Sequence, residues 1–415
     1  MRFGGGFKSG SPEQSYKTQL RNLLLVTQAI NNNYSRREIL DIYNSILGKQ
    51  AYIRKFVLFS NNSGLRVESS LHAEEAEIEG LLGASLSDEI KNPDNIVYRP
   101  AVSSNGFNVL IPAHHKDRVL ALLLVETVFE TADLSILPEH VTDSLVFLQT
   151  LTNIVFVALE NKVLYKENLR RERLQKELEL ASELQAMLFP PPWNNASLQL
   201  DIAAFHVPFS EVGGDYYDYF ELNEHEIAFC IADVSGKGIS AALLMSNFQA
   251  NVRALFPIYD NLEELARKLA EKVDRAARGE RFITAFLARY NTQTRQLSFV
   301  NAGHNPPVLR NGKTTELLED GTTGLGMITP LPFVHKGERT LEKDAVLVCF
   351  TDGVSELQNK KEEFFGYEPV KRVLLDNGLH TAEEVNLTLS LEMNRFKSGA
   401  GSFHDDAALL TCRFL

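Results

Sequence analysis

The chain has 415 residues with 42 Lys+Arg against 54 Asp+Glu, a formal charge of −12, and its length suits two or three domains with sizeable cores. Hydrophobic content of 44% beside 23% charged residues excludes wholesale disorder, and the acidic balance argues against a nucleic-acid partner, which needs a cationic surplus to displace phosphate counterions. Cysteines at 230, 349 and 412 alone cannot build a disulfide framework and fit a reducing, cytoplasmic setting.

Residues 1–14 are Gly/Ser-rich, lack the apolar core of a signal peptide, and read as a flexible tail. Helical spacing follows at Leu20, Leu23, Leu24 and Ile30, and again at Ile39, Ile42, Tyr43 and Ile46. Strand-like runs come next at 51–59, 107–112 and 118–126, bounded by turn residues such as Asn61-Asn62-Ser63-Gly64. A helix from about Glu139 closes this first zone, residues 15–158. Helices at both ends of a strand-rich middle predict a sheet with a helical layer on one face, and the order resembles a GAF sensor domain. Ser144–Leu159 is the most apolar stretch, but Gln149, Thr150, Thr152 and Asn153 interrupt it, so a core-facing helix is expected and no membrane span.

No strong break occurs between Glu139 and Pro190-Pro191-Pro192, which predicts one helix of roughly 48 residues, about 70 Å long. In its second half Leu174, Leu178, Ala181, Gln185 and Leu188 step by four and three, a short heptad seam. Residues 159–192 therefore read as a linker helix, either a dimeric coiled coil or a solvated monomeric helix. The first reading makes the protein a homodimer through the linker.

Residues 193–415 differ in texture, with strand patterns that end in acidic residues. DYYDYFEL and EIAFCIAD read as a hairpin around Asn223-Glu224-His225. Centring it on Glu224 makes partner numbers sum to 448, so Asp215 faces Asp233 at the open end. Opposed carboxylates about 5 Å apart destabilise a sheet unless something neutralises them, and a divalent cation does so. Gly213-Gly214, Gly236 and Gly238 allow sharp turns beside it, and Ser240 is expected to cap a helix carrying Leu243, Leu244, Phe248 and Val252 on its apolar face. Two further acidic tips follow, Asp352-Gly353 after the strand AVLVCF and Asp405-Asp406 before AALLTCRFL. Any single aspartate there is ordinary turn chemistry. Four segments with the same pattern point to oxygen ligands for Mg²⁺ or Mn²⁺.

GGDYYD, DVSGKG followed by AALLM, FVNAGHNPP, FTDGVSE, FFGYE and HDDAALL stand in the order of one family. The region resembles the metal-dependent (PPM) serine/threonine phosphatases of the SpoIIE-like bacterial branch. That resemblance implies an α+β chain: a GAF-like α/β sensor, a coiled-coil linker and an α-β-β-α phosphatase sandwich. It implies a two-cation site in which Asp233 bridges, the Val234 carbonyl binds one ion, Asp352 and Asp405 hold the other, and Asp215 supports its neighbour. Asp406 is the alternative to Asp405. Such a pair of ions activates a water for attack on a phosphoserine or phosphothreonine and neutralises the phosphoryl oxygens. The substrate it implies is a phosphorylated regulatory protein such as an anti-sigma-factor antagonist. Eukaryotic members carry a proton-donating His where this chain has Ser235. His304 is either structural or catalytic, and Lys237 either touches phosphate or is a solvated loop residue. The sensor would answer to an unknown ligand or a partner protein. The competing functions are a weak or inactive phosphatase-fold binding module and a two-metal cyclase, the latter lacking any nucleotide motif.

Overall fold

The computed structural model describes residues 12–61, 64–83, 96–98, 106–116, 118–128, 139–193, 200–376, 378, 380–397 and 405–415. The chain divides into two compact units, Met1–Glu172 and Arg173–Leu415, so the tail expected at 1–14 lies almost wholly outside the described residues.

The first unit contains α1 (Pro12–Asn31), α2 (Arg36–Gly48), β1 (Ile53–Asn61), β2 (Leu65–Leu71), α3 (Glu75–Gly83), β3 (Val97–Tyr98), β4 (Val109–His115) and β5 (Arg118–Thr127). Ser35 and Glu38 close a capping box at the start of α2, which satisfies amides that a helix start otherwise leaves open. The strands form a sheet in the order β2-β1-β5-β4-β3. Ile39 and Tyr43 of α2 pack on Phe56, Ile111 and Leu123 from one sheet face, together with the apolar half of α4 (Glu139–Ala186). That helix has 48 residues, as its unbroken pattern predicts. Part of it is apolar and long enough to cross a membrane by composition alone, yet Leu148, Leu151 and Val155 are fully buried in this core. Thr152 interrupts the run harmlessly, because its hydroxyl lies 2.8 Å from the Tyr43 hydroxyl and also donates to the Leu148 carbonyl.

The second unit runs β6 (Leu200–Val207), β7 (Tyr216–Asn223), β8 (Glu226–Val234), α5 (Ile239–Leu255), α6 (Leu262–Ala277), β9 (Ile283–Asn291), β10 (Gln296–Ala302), β11 (Val308–Asn311), β12 (Thr314–Leu317), β13 (Gly321–Thr322), β14 (Gly337–Thr340), β15 (Ala345–Phe350), α7 (Asp352–Ser355), α8 (Glu368–Leu374), α9 (Ala382–Lys397) and β16 (Ala407–Phe414). One sheet is ordered β13-β10-β9-β8-β7, with β14 on β10, and the other β12-β11-β15-β16-β6. Alternation along β8 explains the layering. Ile227, Phe229 and Ile231 meet Leu347, Cys349 and Cys412 of the other sheet, while Ala228, Cys230 and Ala232 meet Phe248 and Leu269 of α5 and α6. Val346 and Val348 face outward onto Val370 of α8 and Leu389 of α9. The result is the four-layer α-β-β-α sandwich, whose central strands are buried on both faces and hence read as continuous apolar runs.

Pairing in the β7–β8 hairpin follows the expected sum from Tyr216↔Ala232 to Glu221↔Ile227, with an irregularity before Asn223↔Glu226. Two local expectations fail. Gly238, not Ser240, is the N-cap of α5, because its φ of 75° suits glycine and the chain turns there. Ser240 lies in the first turn, where its hydroxyl accepts from Arg281 Nη2 at 2.8 Å. Leu243 points outward and is 67% exposed, while Leu244, Phe248 and Val252 are buried. The lower end of the linker seam also differs from expectation. Gln185 is buried against Gly213, and Leu188 packs on the core beneath α5 and α6, so neither is free to face a second helix.

Candidate metal centre

Asp215, Asp233, Asp352 and Asp405 come from four strand ends of the two sheets. Asp215 precedes β7 and is 1% exposed. It accepts a hydrogen bond of 2.6 Å from the Thr351 hydroxyl, which itself accepts from the Ala408 amide at 2.9 Å. Thr351 holds the N-cap position of α7, but its side chain serves Asp215 and not the helix. Burial pushes the Asp215 carboxyl well above the usual range, and neighbouring Asp233 adds to the effect. Asp233 is the next-to-last residue of β8, opposite Thr284 of β9. Its carboxyl is pushed up to about 7 by burial and then by Asp352 and Asp405. Asp352 opens α7 and rises to about 6, through burial and then Asp405. A Cβ at Gly353 would stand 1.9 Å from the Asp406 carbonyl oxygen, so only glycine lets these two acidic tips approach.

The geometry separates the adjacent acids. Asp406 is 8% exposed, and its two carboxylate oxygens accept from the Phe209 amide at 2.8 Å and the Gly214 amide at 2.6 Å. It braces the loop that carries Asp215. Asp405 is more open and lies 2.8 Å from Lys237 Nζ, whose ammonium also sits 5.0 Å from the Phe209 ring centre. Lys237 is raised chiefly by its hydrogen bond to Asp405.

The DVSGKG loop is held from behind by Arg281, which donates to the Ser235 carbonyl at 2.6 Å. A Cβ at Gly236 would meet that guanidinium at 2.1 Å. Ser235 accepts from the Phe282 amide at 2.9 Å, so it anchors the loop to the start of β9. The Val234 carbonyl faces the Gly213-Gly214 turn, 3.0 Å from where a Gly214 Cβ would be. Gly213 is in turn held on both sides by Gln185, whose amide donates to its carbonyl at 2.7 Å and accepts from its N–H at 3.0 Å. His304 is buried, with Nδ1 3.0 Å from the Thr284 hydroxyl. Burial depresses it to about 4, which keeps it neutral. It stands behind Asp233 through Thr284. Sequence reasoning missed Thr351 and Arg281 and placed Gln185 in the linker seam, not beside Gly213. Only Thr351, beside Asp352 in FTDG, carried a local signal.

An all-oxygen donor set with carboxyls raised by burial and then by one another fits hard divalent cations. Among the described residues, no three His, Cys, Asp or Glu side chains are gathered closely enough to hold an ion as they stand. Lys237 on Asp405 and Thr351 on Asp215 are the contacts that occupy these ligands.

A two-sheet sandwich flanked by helices, with aspartates at one end, is the architecture of the PP2C-type phosphatases. The SiaA-PP2C domain of Pseudomonas aeruginosa superimposes with a TM-score of 0.51 at 20% identity, over 59% of this chain and 99% of that domain. Residues 223–415 match the model of stage II sporulation protein E, SpoIIE. Two Bacillus subtilis (strain 168) proteins are similar in sequence. Phosphoserine phosphatase RsbU is 29% identical over 67% of this chain and 81% of its own length. Phosphoserine phosphatase RsbP is 30% identical over 43% of this chain and 45% of its own length. The chain carries a SpoIIE-type PP2C domain and is a protein serine/threonine phosphatase.

Proposed function

We propose that this chain is a signal-regulated phosphatase that removes phosphate from phosphoserine or phosphothreonine of a regulatory protein, such as an anti-sigma-factor antagonist. The observation that carries this reading is the burial of Asp215 and Asp233 side by side with no Lys or Arg paired to either among the described residues. Two Mn²⁺ or Mg²⁺ ions would supply the missing positive charge and the Lewis acidity for attack on phosphorus. Asp233 and the Val234 carbonyl would hold one side, and Asp352 and Asp405 the other, with Asp215 supporting. Asp405 is preferred to Asp406 because backbone amides already occupy both Asp406 oxygens. Lys237 would turn from Asp405 to the phosphoryl group once a cation takes its place, and Arg281 and Ser235 keep the loop in position. His304, buried with Nδ1 3.0 Å from the Thr284 hydroxyl, would orient Thr284 beside Asp233. The deciding measurement is Mn²⁺-dependent phosphate release from a phosphoserine protein by wild type, Asp233→Asn and Asp352→Asn. Equal rates in all three would remove the metal mechanism.

The domain reading is a sensor at 15–158, a linker at 159–192 and a phosphatase at 193–415 in a cytoplasmic protein. Exposed Leu180, Leu184 and Met187 on and just past α4, spaced by four and three on a different stripe from the Leu174 seam, support pairing of two copies through the linker. A sensor ligand or partner protein would then act on Gln185 and through it on the loop bearing Asp215. Deleting residues 1–160 should change activity and oligomeric state. If neither moves, the regulatory reading fails. One observation bears on the alternative of a binding module: among the described residues, no three His, Cys, Asp or Glu side chains are gathered closely enough to hold an ion. Tight Mn²⁺ binding without hydrolysis of any phosphoprotein would support it.

A further inference from the structure

A cavity of about 720 Å³ lies within the second unit, walled by the end of α4 and by β6 and β7, which are edge strands of their two sheets. None of the aspartates proposed as cation ligands lines it. Its volume falls in the range of small-molecule sites, roughly 300–1,000 Å³.

The walls are aromatic. Trp193 spends its N–H on the Leu200 carbonyl at 3.0 Å, and Tyr219 spends its hydroxyl on the Pro191 carbonyl at 2.9 Å. Both line the cavity together with Phe189 and Tyr217, whose ring centres are 4.9 Å apart. Phe189 also stacks on His206 at 5.1 Å. The Nε2 atom of His206 is buried without a hydrogen-bond partner, an omission that native interiors rarely tolerate. Around these rings stand Asp201, Glu211 and Glu383, while no Lys or Arg is among the described lining residues. Aromatic faces beside carboxylates attract cations through the ring quadrupole and direct charge pairing. An anion would be repelled by these carboxylates, and a neutral apolar guest would leave them without a charge partner.

We propose that this cavity is a binding site for a small organic cation, an amine or guanidinium on a slender body. The head group lies among the aromatic side chains, and its N–H groups serve the carboxylates. Trp193 is the one tryptophan of the sequence, so its emission reports on this place in the full-length protein. Agmatine is the probe, with 1,4-butanediol and glutarate as neutral and anionic controls, all in saturating Mn²⁺. The expected result is a saturable change in Trp193 emission with agmatine alone, weakened about tenfold or more in Glu211→Gln/Glu383→Gln, two exposed positions at which folding is not at stake. Asp233→Asn should leave the agmatine response unchanged, which separates the cavity from the acidic cluster. The proposal is overturned by no saturable response, by an equal response to glutarate, by undiminished affinity in the double variant, or by loss of the response in Asp233→Asn.

Discussion

Two buried acidic regions lie on the β7–β8 hairpin, three residues apart, and they are neutralised in opposite ways. Asp218 has no exposed side-chain surface and is gripped by Arg253 through Nε at 2.7 Å and Nη2 at 2.9 Å. The Tyr216 hydroxyl and the Tyr219 amide donate to it as well. Asp215 accepts from the neutral Thr351 hydroxyl and shares a side-chain hydrogen bond with neighbouring Asp233, and no Lys or Arg pairs with it among the described residues. A buried carboxylate that finds its cation within the chain ties α5 to the sheet. One that does not is a place kept for a cation from outside. On the proposed function, the same hairpin carries a structural acid and a metal-binding acid, told apart by what stands opposite each.

Substitutions on the two sides should break different properties. Asp233→Asn should lower phosphate release by at least about a hundredfold, as expected when charge placed for the transition state is removed, and should abolish stabilisation by Mn²⁺ in a thermal melt. Arg253→Met leaves Asp218 buried and unpaired, so urea unfolding should show a loss of about 3–5 kcal/mol. The Mn²⁺-induced rise in melting temperature should survive in that variant, and its disappearance would undo the comparison. Thr351→Val removes the donor behind Asp215 and should weaken Mn²⁺ binding by about 10–100-fold in calorimetry, the usual effect of losing a group that orients a ligand.

The smallest effect is one of pH. Asp233 at about 7 and Asp352 at about 6 lie above the unfolded carboxyl value near 4. The metal-free fold then binds more protons than the unfolded chain, and its stability falls as pH rises from about 4 to about 7. On the proposed function, a cation would replace those protons. The shift in melting temperature on adding Mn²⁺ should therefore grow from pH 5.5 to 7.5, and a flat profile would remove the crowding argument.

Much of this was legible in the sequence, because strand alternation and glycine turns are local properties. The hairpin register and the length of α4 follow from period and punctuation alone. What stayed hidden depends on partners far along the chain. Arg253 finds Asp218 across 35 positions, and Asp406 meets the Gly214 amide across 192. No spacing rule marks either. The choice between Asp405 and Asp406 was open for the same reason, since only the folded loop reveals which acid its amides claim. Ser240 misled because a serine before an apolar run is the usual cap signal, whereas Gly238 already met the backbone need.

The pairing of β6 bears on how the protein is made. Its one neighbour in the sheet is β16, with Leu200 opposite Phe414, so a strand synthesised early in the phosphatase domain waits some 200 residues for its partner. Until β16 emerges, the apolar face of β6 is uncovered and the Phe209–Gly214 segment lacks the acid that shapes it. A ribosome-bound chain would then be both inactive and dependent on protection from aggregation, and dephosphorylation could begin only once β16 had closed the sheet.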